Sequence, residues 1–145
     1  MIASEETIND KSVVVIEREY TPEVITELPH NSIFVFGSNN LGQHAGGAAS
    51  VAVNKFGAKM GIPMGLQGDS YGIITTSFTD RPIDLEFIKD QICVLYWYAL
   101  NRPESTFYVT KIGTGIAGFA THEIAELFTS LKAPNNIILP KEFTI

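Results

Sequence analysis

The chain has 145 residues, a formal net charge of −6, a hydrophobic fraction of 45% and a mean hydropathy of +0.12. That is the length of one domain with an adequate core, and the composition excludes disordered and fibrous classes. Ten basic residues scattered through an acidic chain argue against direct nucleic-acid binding, which needs a Lys/Arg surface. A single cysteine, Cys93, excludes an internal disulfide framework, and its apolar helical surroundings predict a structural thiol.

Residues 1–11 are polar and are expected to form a flexible N-terminal segment, with residues 12–145 as a single domain. They show no basic region followed by an apolar core. No stretch approaches the ~20 apolar residues of a membrane span, so the expectation is a cytoplasmic protein with no membrane contact. Ser12 to Ile16 reads as the first strand. Thr21-Pro22-Glu23 supplies a cap, a first-turn proline and an acid, predicting a short helix through Leu28. Ile33-Phe34-Val35-Phe36 is a continuous apolar run, as in strands covered on both faces, and marks the sheet centre.

A glycine-rich loop follows, Gly37 to Gly47, and then a helix over 48–60 carrying Ala49, Ala52, Val53 and Phe56 at helical spacing. Gly57 to Gly68 reads as a long irregular connection, Tyr71 to Phe78 as a strand, and Asp84 to Leu100 as the longest helix, stopped by Pro103. Phe107 to Thr110 is aromatic and β-branched. After it Gly113, Gly115 and Gly118 free the backbone for a tight turn into a helix reaching about Leu131, and Asn136 to Leu139 is a last strand.

Strands alternating with helices predict an α/β fold: a three-layer α/β/α arrangement with a mostly parallel mixed sheet and helices on both faces. Ligands of such sheets bind beyond the carboxyl ends of the strands. Both glycine-rich loops lie there, so they should share one crevice. Backbone amides at two such loops, with a helix dipole behind them, suit a ligand with two phosphates, or one diphosphate held from both sides, without any basic side chain.

Asn39 is either a ribose contact or a turn former, and Asn40 is a turn former. His44 is either a general base or ligand contact, or a solvated loop residue. His122 reads as a helix-start residue, His30 as a surface turn and Asp69 as solvated. Phe119 either stacks on a ligand ring or plugs the underside of its helix. Three histidines and one cysteine without ligand spacing predict no metal site, and no cofactor is expected.

The run Ile112-Gly113-Thr114-Gly115-Ile116-Ala117-Gly118-Phe119 with its following helix resembles the second phosphate loop of macro domains. Val35-Phe36-Gly37-Ser38-Asn39 resembles the strand end of their first loop, and Ala45-Gly46-Gly47-Ala48-Ala49 the glycine run that opens the next helix. The resemblance covers about Ile33 to Leu139 and is closest to compact, divergent members. It implies a small-molecule nucleotide partner, ADP-ribose or a related NAD-derived nucleotide. The implied contacts are Gly37, Ser38, Asn39, Gly46, Gly47, Ala48 and the whole run Gly113 to Phe119, with the distal ribose near Asn39. Glu17 or Glu19 is the acid available to the adenine. Hydrolysis of ADP-ribosyl bonds is the alternative activity, with Asn39 and His44 as catalytic candidates. The chain departs from hydrolytic members by having Phe36 at the first asparagine of the motif, and Ala48 and Ala49 in place of an aspartate. A structural protein that kept the fold and lost the pocket is a third reading.

Overall fold

The computed structural model describes residues 2–8, 11–17, 19–79 and 81–144. Strands β1 (Ile2–Ile8) and β2 (Lys11–Glu17) form an antiparallel hairpin with Ile2 opposite Glu17. The opening segment, expected to be flexible, therefore contains a strand, and the Ser12–Ile16 strand belongs to this two-stranded unit, not to the main sheet.

The main sheet has β3 (Ser32–Asn39) at its centre, flanked by β5 (Ser70–Thr76) and β6 (Thr106–Val109). The edges are β4 (Gly65–Gln67) and β7 (Ile137–Ile138), in the order β4-β5-β3-β6-β7. All pairings are parallel except β4 with β5. Three α-helices accompany it: α1 (Gly47–Lys55), α2 (Leu85–Leu100) and α3 (Thr121–Thr129). The chain is thus α/β, with a mixed, mostly parallel five-stranded sheet. No helix among the described residues is long and apolar enough to cross a membrane.

The continuous apolar run of β3 divides by the period-2 rule. Ile33 and Val35 join one core cluster with Ile88, Ile92 and Leu95 of α2 and Ile124 and Phe128 of α3. Phe34 and Phe36 join a second with Ala49 and Ala52 of α1 and with Phe56, whose ring stacks 4.7 Å from that of Phe34. Two polar side chains tie helices to this framework. Gln91 of α2 exchanges two hydrogen bonds with the backbone of Ile74, accepting at 2.7 Å and donating at 2.9 Å. The Tyr96 hydroxyl donates to the Phe128 carbonyl, joining α2 to α3.

Two predicted helices differ in extent. The segment 21–28 is not helical: the Thr21 amide donates to Leu139 O at 2.9 Å and its hydroxyl to Ile138 O at 3.1 Å. The side chain that would cap a helix is thus spent on the strand β7 region. Helix α1 stops at Lys55, short of Met60, because Gly57 takes a left-handed turn (φ +75°) and the Ala58 amide closes back on Ala52 O at 3.0 Å.

Buried Tyr108 donates to Glu19 Oε1 at 2.8 Å. Burial first, and then this bond and the nearby carboxylate charge, push its phenol up to about 12. A group whose pKa is raised on folding contributes stability below its unfolded value, about 10, and loses it as pH rises through the folded one. Urea midpoints should therefore fall between about pH 10 and 12, less steeply in Tyr108→Phe. Identical slopes in the two proteins would count against this role.

Candidate functional site

The first loop is built by Asn39. Its Oδ1 accepts from the amides of Leu41 (3.2 Å) and Gln43 (2.9 Å), and its Nδ2 donates to Gln43 O at 3.2 Å. This is the Asx-turn bonding that lets a short amide side chain organise backbone. At Gly42 (φ +68°) the loop lies directly on the backbone of Gly61 and Ile62. His44 then turns inward. It is 4% exposed, donates from Nε2 to Ile62 O at 3.0 Å, and meets the Phe36 ring edge to face at 5.1 Å; its Nδ1 is buried with no partner among the described residues.

Beyond it Gly46 is extended (φ −153°) and α1 begins with no side-chain cap and no acid in its first turn. The amides of Gly46, Gly47 and Ala48 meet no acceptor among the described residues. This helix N-terminus therefore keeps its orphan donors and positive dipole end.

The second loop follows β6. Gly118 N–H closes on Gly115 O and Phe119 N–H on Gly113 O, both at 2.9 Å, while the Thr114 hydroxyl donates to Lys111 O at 2.8 Å. These bonds curl the run into a compact turn with Gly113 and Gly118 both at φ +76°. The five successive amides from Gly113 to Ala117 meet no acceptor among the described residues. At the N-terminus of helix α3, whose dipole the sequence places behind this loop, an anion of the chain is already present. Its Glu123 carboxylate accepts from Ala120 N–H at 2.9 Å and supplies the anion itself.

Both loops open on one crevice of about 860 Å³, within the usual range for ligand sites. Of the predicted contacts, Gly37, Ser38, Asn39, Gly46, Gly47, Ala48, Gly113, Gly115, Ile116 and Ala117 line it. Thr114, Gly118 and Phe119 do not. Phe119 packs against the larger core cluster and lies beside Gly113, so it plugs the underside of its helix rather than standing at the rim. His44 is likewise absent from the lining, held inward by Ile62 and Phe36. Asn39 lines the crevice, but its carboxamide is engaged within its own loop.

Several lining residues carried no readable signal. Thr75 and Thr76 end the neighbouring strand β5, and Val24, Ile25 and exposed Phe78 provide apolar walls. Glu23 and Lys111 are the charged lining residues, and they pair with each other at 3.0 Å while Lys111 also reaches Glu142 at 3.3 Å. The Glu23 hydrogen bond, ahead of that to Glu142, raises the Lys111 ammonium above its ordinary value. Glu19 bonds Tyr108 and does not line the crevice; the side chain of Glu17 lies outside the described residues. Cys93, expected to be packed, is exposed on α2.

The arrangement is a crevice rimmed by backbone amides of two loops, with hydroxyl and apolar walls. Comparison with family models, with curated proteins and with solved structures finds no match for this chain.

Proposed function

We propose that the crevice binds ADP-ribose or a related NAD-derived nucleotide, in a fold of the three-layer, macro-domain-like kind. The observation that carries this reading is the set of unpaired amides at Gly46 to Ala48 and at Gly113, Gly115, Ile116 and Ala117, residues of two loops that line one crevice. A diphosphate supplies acceptors for two such cradles at once, and the dipole of α1 favours its charge. The apolar walls beside them suit a base, and the strand-end hydroxyls suit ribose. Holding is favoured over hydrolysis. The two catalytic candidates, Asn39 and His44, make their polar contacts within the loop architecture.

Titration calorimetry with ADP-ribose should give saturable one-to-one heat with the folded protein, and no heat would sink the reading. The Glu23–Lys111 pair is exposed on both sides and so is weak. Glu23→Gln is expected to leave the fold unchanged and to tighten ADP-ribose about two- to fivefold, by removing a carboxylate that competes for Lys111. Unchanged or weaker binding in that variant would contradict the competition.

A further inference from the structure

Helix α2 buries one face in the core, yet its opposite face is unusually apolar. Phe87, Val94, Trp97 and Leu100 are 41%, 54%, 64% and 66% exposed, and Trp97 is the single tryptophan of the chain. At 3.6 residues per turn these side chains, with Asp90 and Cys93, fall on one stripe.

We propose that this stripe is a self-association surface, on which α2 packs antiparallel against α2 of a second copy about a two-fold axis passing between Cys93 and Val94. The occupant follows from the order of residues along the stripe. An isologous contact must be complementary to its own reversal. Reversing about that axis sets Phe87 against the partner's Leu100 and Val94 against the partner's Cys93. Asp90, the stripe's central charge, then faces the partner's Trp97, whose indole N–H has no acceptor among the described residues. At the ends, Glu86 in the first turn of α2 comes beside the partner's Arg102, just past its last turn.

Fully exposed aromatic side chains present about 150–250 Å² and aliphatic ones somewhat less, so at the partial exposures of Phe87, Val94, Trp97 and Leu100 the four apolar groups leave on the order of 400 Å² per copy to be covered. That is about half of what a standard interface buries per partner, and the polar flanks of the helix supply a rim. The inference is independent of the ligand reading, because no residue of the stripe lines the crevice.

Light scattering on the full chain, across a concentration series, should give a mass twice the 15.9 kDa of one copy. Trp97→Glu and Leu100→Glu should each return it to that of a single copy, with the circular dichroism spectrum and melting temperature of the fold retained. A short bismaleimide should link Cys93 to Cys93 in the wild type, and at least tenfold less in Trp97→Glu. A single-copy mass at every soluble concentration would overturn the proposal. So would a two-copy mass that both glutamate variants leave intact, since the contact would then lie elsewhere.

Discussion

Gly46→Asp is expected to weaken ADP-ribose binding about 100-fold while leaving the protein as stable as before, or slightly more so. Gly46 is the cap position of α1, its backbone is extended, and a Cβ added there meets nothing within 4 Å. Aspartate is a better cap than glycine by a few tenths of a kcal/mol, and its charge at the helix N-terminus adds about 0.3–1 kcal/mol. The same carboxylate would occupy the donors assigned to the ligand. Repulsion between it and a phosphate a few ångströms away is worth up to about 4 kcal/mol near a surface, reduced by screening. Binding and stability thus move in opposite directions. Calorimetry and thermal melting of the one variant measure both, and retained affinity would remove α1 from the site.

The reverse separation is expected at Gly42. A Cβ there would lie 2.6 Å from Ile62 N, 2.8 Å from Gly61 C and 2.9 Å from Ile62 C, all backbone atoms, at φ +68°. Left-handed backbone costs a non-glycine residue about 1–2 kcal/mol, and overpacking a further 1–3 kcal/mol. Gly42→Ala should therefore destabilise by about 3 kcal/mol, a fall of roughly 6–12 °C in Tm for a domain of this size. Gly115→Ala is the control: it has open space within 4 Å, and its expected change stays within about 0.5 kcal/mol. Equal melting of the Gly42 and Gly115 variants would show that the first loop is not pinned against the backbone of Gly61 and Ile62.

The contrast between these glycines bears on what the sequence could disclose. The central strand, the longest helix and both glycine-rich loops were legible because each is a local pattern: the apolar run Ile33–Phe36, the 3.6-residue spacing of α2, and glycines after strands. Their meeting in one crevice followed from the topology of parallel strands. What was not legible depends on partners distant in the chain. Thr21 looks like a helix cap until its hydroxyl is taken by Ile138, 117 residues away. His44 reads as a solvated loop residue or a base because Ile62 O and the Phe36 ring cannot be seen beside it. Phe119 faces the core because Gly113 leaves room for it and Ile124.

Cys93 misled for a different reason. An apolar helix predicts burial only if one face is apolar, and α2 carries apolar side chains on both. Lys111 and Glu23 were missed because a charge pair across 88 residues has no sequence signature. Their mutual neutralisation leaves the crevice dependent on backbone donors, and such donors are encoded only indirectly, by the residues that let the chain turn.

The amides themselves provide the most direct measurement. In a nitrogen-15 labelled sample titrated with ADP-ribose, the resonances of Gly46, Gly47, Ala48 and of Gly113 through Ala117 should shift together and saturate at one equivalent. Those of the α2 outer face should stay in place. Absence of shifts at saturating nucleotide, or shifts confined to residues outside the two loops, would contradict the assignment of these amides to a bound diphosphate.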